Sequence, residues 1–181
     1  MAIKQKIWTY NDYYNLSDDK RYEVIEGELI EMPAPNIEHQ DISGNLEFMI
    51  RDYVKRNKLG KVYDAPTDVK LDDMNVVQPD LLFISNENKG IIKDNYIEGS
   101  PDVVIEILSP SNRDHDMVTK FALYEKFCVK EYWIIDPDQK SIEIFSLDNV
   151  KLQSVCKVSE DEKVKSESFV GLELRFNDLV E

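Results

Sequence analysis

The stretch PDVVIEILSPSNRDHDMVTKFALYEKF, residues 101–127, decides how this chain is read. It opens on an apolar strand, Asp102 to Leu108, in which Glu106 stands between Ile105 and Ile107. A strand this apolar reads as buried on both faces, where an uncompensated carboxylate is costly. The turn formers Ser109, Pro110, Ser111 and Asn112 follow, then a helical pattern from about Asp114 to Cys128. That helix carries its own misplaced charge, Lys120, beside a stripe of Met117, Phe121, Tyr124 and Cys128 at three-to-four spacing. A buried strand feeding straight into a helix points to an α/β fold, and the two charges point to a shared site.

Working outward, the remaining chain supplies more strands. EVIEGELIEM alternates around Glu26-Gly27, which predicts an N-terminal β-hairpin closed by Pro33 and Pro35. A short helix is expected near Tyr10 to Asn15. A longer amphipathic helix is expected from Glu38 to Asn57, with Gly60 punctuating its end. Strands are expected at Lys61 to Tyr63, Asp68 to Leu71 and Leu81 to Ser85. EYWIID and SIEIFSL read as a hairpin turning at Pro137-Asp138, and Leu152 to Glu181 as short strands and loops. The sum is one domain over residues 1–181, a mixed β-sheet core flanked by helices.

The 181 residues suit a single sizeable core, with 42% hydrophobic and 32% charged residues. No apolar run approaches the roughly 18 residues a membrane span needs. MAIKQKIWTY lacks the apolar centre of a signal peptide, so a cytoplasmic protein is expected. Cys128 and Cys156 have no metal-site spacing and read as reduced thiols. Against 22 basic residues stand 36 acidic ones, a formal charge of −14. That surface argues against extended binding along a phosphate backbone, while a local basic channel is compatible with it and a carboxylate-rich metal site would itself add negative charge.

Chemistry enters where two strands meet. In VVQPDLLFIS, Asp80 starts an apolar run, and in PDVVIEIL strand alternation puts Glu106 on the face of Asp102, Val104 and Leu108. As sheet neighbours, Asp80 and Glu106 would converge, and two carboxylates there call for a proton or a divalent cation between them. Lys120 has a stem of roughly 6 Å with which to reach the same pocket. Mg²⁺ or Mn²⁺ held by Asp80, Glu106 and the backbone carbonyl of Ile107 would keep positions open for water and a phosphate oxygen. A lysine beside it orients the water and stabilises the charge of a pentacovalent transition state. This is phosphodiester hydrolysis.

The residues just described, PDLLFI and YIEGSPDVVIEILSPSNRDHDMVTKFALYEKFCVKEYWIIDP, resemble the Uma-two family of the PD-(D/E)xK nuclease superfamily. The resemblance runs from about RYEVIEGELIEMP through His39 to Pro137 and is strongest from Glu106 onward. It implies a restriction-endonuclease-like fold, with Asp80 as the first motif acid and Glu106-Ile107-Leu108 as the (D/E)xK element. Leu108 stands where that motif has its lysine, and the resemblance assigns the missing role to Lys120. It also singles out His39, Glu23 and Glu26 as possible supporting residues, and Arg113 and Asp116 as holding the loop before the helix. Cys128 replaces a helix-ending glycine.

Each residue also has a structural reading. Asp80 can be a strand-initiating aspartate, Glu106 and Lys120 a buried ion pair, His39 a cap or core residue, and Glu23 and Glu26 solvent-facing hairpin residues. The leading reading is a metal-dependent nuclease acting on DNA, working as a homodimer to cut both strands. Its rivals are a non-catalytic interaction or regulatory module on the same fold, and a hydrolase of small phosphate esters.

Overall fold

The computed structural model describes residues 6–18, 20–110 and 113–180. The chain begins with helix α1 (Tyr10–Tyr14), whose Thr9 and Asp12 form a reciprocal capping box. The hairpin β1 (Tyr22–Ile25) and β2 (Glu28–Glu31) turns at Glu26 and Gly27, both at positive φ (51° and 78°), the geometry of a tight two-residue turn. Helix α2 (Ile37–Asn57) starts at the N-cap Asn36 and buries Ile42, Leu46, Ile50 and Val54. It ends at left-handed Lys58, not at Gly60. Gly60 instead opens β3 (Gly60–Asp64), where a Cβ would overlap the Ile84 carbonyl oxygen of the neighbouring strand.

Next come β4 (Val69–Asp72), the short β5 (Asn75–Val77), β6 (Leu81–Ser85), the two-residue β7 (Ile97–Glu98) and β8 (Val103–Ile107). The brief β5 and β7 carry too few residues to alternate visibly in sequence. They join the hairpin in a five-stranded sheet of order β2-β1-β5-β4-β7. The second sheet runs β11-β10-β9-β8-β6-β3, with β9 (Glu131–Asp136), β10 (Ser141–Asp148) and β11 (Lys151–Ser159) forming an antiparallel meander. Strands β8 and β9 are parallel, joined by the crossover helix. Beyond Ser159 the described residues form no further strand. Its apolar residues Val164, Phe169, Leu174 and Phe176 instead fill the core under α2 from irregular backbone.

The crossover helix departs from the even 3.6-residue spacing. His115–Lys120 is π-helical and runs directly into α3 (Phe121–Lys126). The wider turn rotates the buried face, so it consists of Asp116, Lys120, Leu123 and Tyr124. Met117 and Cys128, expected in the buried stripe, are exposed. Cys128 sits at φ 57°, in the left-handed position that glycine usually takes after a helix. The turn residues Ser111 and Asn112 lie outside the described residues. Two apolar clusters result, one on each face of the six-stranded sheet: Val103, Ile105 and Ile107 face α2, while Val104 and Leu108 face α3.

Candidate active site

Strands β6 and β8 are antiparallel neighbours in the register Leu81↔Ile105 and Leu82↔Val104. That register brings Asp80 to the end of β8, where its Oδ2 accepts the Ile107 backbone N–H at 2.8 Å. Asp80 Oδ2 also meets Nε2 of His39, from the first turn of α2, at 3.1 Å. Glu106, one residue before Ile107, points to the same side as Val104 and is 2% exposed. Its Oε1 accepts from the Lys120 ammonium at 2.9 Å and from the Tyr124 hydroxyl at 2.7 Å. The π-helical turn thus delivers Lys120 to the centre of the buried face rather than to its flank.

The hairpin supplies a second carboxylate to the same ammonium. Glu23 is fully buried on β1, with Oε1 3.0 Å from Lys120 Nζ and accepting the Gln78 backbone N–H at 2.8 Å. Its Oε2 lies 3.2 Å from His115 Nε2. Asp116 adds a third: its Oδ1 is 3.5 Å from Lys120 Nζ, yet that buried oxygen has no hydrogen-bond partner among the described residues. Glu26, by contrast, sits at the exposed hairpin turn, 3.8 Å from the exposed Lys126. Asp80, Glu106, His39, Gln78, Asp116 and Lys120 line a cavity of about 360 Å³, walled also by the 32–36 loop, the first turns of α2, and Ser109 and Pro110.

Charge dominates the chemistry of this pocket. Burial pulls Lys120 down, but Glu106, Glu23, Asp116 and Asp80 outweigh it and hold the ammonium well above its ordinary pKa. Glu23 is the ion-pair partner: burial pushes it up, yet Lys120, His115 and the Gln78 N–H bring it down to about 2. Glu106 goes the other way. Burial, with Asp116, Asp80 and Glu23 crowding it, pushes its pKa well up against the pull of Lys120. Asp116 is raised to about 6, by burial first and by Asp80 and Glu23 next. Burial lowers His39, but Asp80 and Asp116 raise it further, for a net rise. Four carboxylates therefore share one ammonium in a low-dielectric pocket.

Known proteins bear on this geometry. The family Uma2, described as "Putative restriction endonuclease", matches residues 9–177. The chain belongs to the Uma2 family. A crystal structure described as that of a putative nuclease belonging to DUF820, from Anabaena variabilis ATCC 29413, superposes with a TM-score of 0.78. The two chains are 23% identical, over 95% of this chain and 97% of that one. The likeness establishes the restriction-endonuclease-like fold. No curated protein matches. Among the described residues no helix is long and apolar enough to cross a membrane.

For a Uma2 chain the useful comparison is between the residues expected at the site and those that gather there. Asp80, Glu106, Lys120, His39 and Glu23 converge, and Glu26 stays outside. Arg113, expected to hold the loop before the helix, makes a paired contact with Asp136 at the end of β9, at 2.8 and 2.9 Å. Asp116 and Tyr124, read from sequence as a loop residue and a core residue, belong to the pocket cluster. His115 and Gln78 carried no sequence signal, since their partner Glu23 lies 55 or more residues away.

A divalent cation is compatible with this donor set. Asp80 and Glu106 each place both of their hydrogen bonds on one oxygen, Oδ2 and Oε1 respectively. Among the described residues, no hydrogen bond falls on Asp80 Oδ1 or Glu106 Oε2. No group of three or more His, Cys, Asp or Glu side chains among those residues is spaced to hold a metal unaided. An ion here would therefore rest on two carboxylates and a backbone carbonyl, with water in its remaining positions, the open arrangement that Mg²⁺ favours.

Proposed function

We propose that this chain is a divalent-metal-dependent phosphodiesterase, acting as an endodeoxyribonuclease, with Asp80, Glu106 and the Ile107 carbonyl holding Mg²⁺ or Mn²⁺. The observation that carries this reading is the pair of unused oxygens, Asp80 Oδ1 and Glu106 Oε2, beside an ammonium fixed by Glu23. When bound, the cation supplies Lewis acidity toward a phosphoryl oxygen and water. Lys120 stays protonated throughout, so it orients a water and stabilises phosphoryl charge rather than accepting a proton. Tyr124 and Lys120 both hold Glu106 Oε1, which fixes the rotamer of a carboxylate that lines the cavity. His39 locks Asp80 in the same way. One chain carries one such site, so cutting both strands of a duplex calls on a second copy.

A second reading, hydrolysis of a small phosphodiester, draws support from the cavity itself. At about 360 Å³ it lies near the lower end of the roughly 300–1,000 Å³ of small-ligand pockets, within a protein of charge −14. Calorimetric titration of Mn²⁺ into the wild type and Glu106→Ala tests the metal site. Cleavage of supercoiled plasmid and of bis-p-nitrophenyl phosphate in the same buffers ranks the substrates. Saturable binding and plasmid nicking, both lost in Glu106→Ala, are expected. Faster turnover of the small diester than of any polynucleotide would favour the second reading, and absence of Mn²⁺ binding by the wild type would overturn both.

A further inference from the structure

An acidic protein that handles phosphodiesters needs a cation to receive the phosphate, and the cavity offers few. Lys120 is occupied by three carboxylates, and His39 faces Asp80. On the rim, Glu47 and Asp64 are answered by Arg51, at 2.6 and 3.4 Å. Among the described residues, the remaining cationic side chain on the wall is Arg21. Its Nε donates to Gln78 Oε1 at 3.1 Å, while among the described residues no hydrogen bond or ion pair engages its Nη1 and Nη2.

The anchor of Arg21 is itself held rigid. Gln78 Nε2 donates to the Tyr13 hydroxyl at 3.0 Å and to Asp68 Oδ1 at 2.9 Å, so its carbonyl oxygen can only face Arg21. The backbone N–H of the same Gln78 donates to Glu23, the carboxylate that holds Lys120. Arg21 and Glu23 are two residues apart on an extended chain and so share a face. One side of RYEV thus provides both the carboxylate that fixes the ammonium and a half-engaged guanidinium. A guanidinium tied at Nε and open at its two Nη groups is suited to paired hydrogen bonds with phosphate oxygens.

We propose that Arg21 is a phosphate-binding residue of this site, gripping a backbone phosphate of the nucleic acid next to the one at Asp80 and Glu106. The inference rests on the phosphodiesterase reading and identifies the contact that lets an acidic protein hold a polyanion. Arg21 binds and does not take part in bond breaking, so its loss raises KM and leaves kcat nearly unchanged.

The test is fluorescence anisotropy of a labelled single-stranded and a duplex oligodeoxynucleotide, with Ca²⁺ replacing the catalytic cation, over a series of salt concentrations. Each phosphate contact contributes about 0.7 (single strand) to 0.9 (duplex) to the slope of log K against log salt. Arg21→Ala is expected to flatten the slope by that amount and to weaken binding about tenfold at low salt. Arg21→Lys should restore the slope but only part of the affinity, since a lysine keeps the charge and loses the paired geometry. Arg175→Ala, removing an arginine beside Glu173 and Asp178 away from the cavity, should change neither. Thermal unfolding of each variant checks the fold. An Arg21→Ala slope equal to that of the wild type overturns the assignment while leaving the nuclease reading intact. A wild type that binds neither oligonucleotide overturns both.

Discussion

Glu106 and Glu131 lie on the neighbouring parallel strands β8 and β9, and each is 2% exposed. Glu131 is fully answered by neutral donors. Oε1 accepts the backbone N–H groups of Glu167 and Ser168, and Oε2 accepts Trp133 Nε1 and the Ser166 hydroxyl. It ties the irregular C-terminal segment to the sheet. Glu106 has both of its donors on one oxygen and three like charges nearby, Asp80, Asp116 and Glu23. A buried carboxylate whose lone pairs are all taken serves structure. One that keeps an oxygen in reserve within an over-negative cluster fits the cation site proposed above. The difference is made by what surrounds the residue, not by its type, strand or depth.

The largest expected effect that would test this contrast comes from Lys120→Met. Removing the ammonium leaves Glu23, Glu106 and Asp116 unpaired in the interior, which typically costs about 3–5 kcal/mol. Denaturant unfolding should show that deficit at neutral pH and show it shrinking as acid protonates the three carboxylates. A deficit independent of pH would mean that lost packing, not charge, holds this region together. Glu131→Gln should cost less, about 1–3 kcal/mol, because an amide nitrogen replaces one acceptor oxygen and two donors lose their partner. Its Mn²⁺ titration should match that of the wild type. A weakened titration would remove the distinction drawn between the two glutamates.

Asp116→Asn should act in the opposite sense. Asp116 rises from 3.8 to about 6 on folding, so the folded protein holds this proton more tightly than the unfolded chain. Its contribution to stability is complete below pH 3.8 and disappears as pH rises through about 6. At about pH 8, without metal, the ionised carboxylate is a liability, and the asparagine variant should be more stable by about 3 kcal/mol. Below about pH 4 the gain should vanish. Equal stability at both pH values would show that Asp116 is not crowded by its neighbours.

Much of this was legible along the chain. The apolar strand with Glu106, the run opened by Asp80, the Glu26-Gly27 turn and the long α2 follow from alternation, spacing and turn chemistry, which act between residues close in sequence. Lys120 was visible as a charge beside an apolar stripe, and the folded molecule pairs it with Glu106. The buried stripe itself differs from its sequence pattern, because the π-helical turn at His115–Lys120 breaks the 3.6-residue spacing. The buried C-terminal segment escaped because its apolar residues fill the core without regular periodicity.

Asp116, Gln78 and Arg21 reached the cavity only in the folded molecule, and only there does Glu23 part from Glu26. In sequence Glu23 and Glu26 are equivalent hairpin glutamates. The turn at Glu26 leaves one in solvent, and the sheet buries the other beside a lysine 97 residues downstream. Local physics along a chain of this kind selects strands, turns and the charges that look out of place. Which of those charges meet, and which oxygen of each remains unused, depends on register between distant strands and on the rotation of one helix, and only tertiary packing sets either.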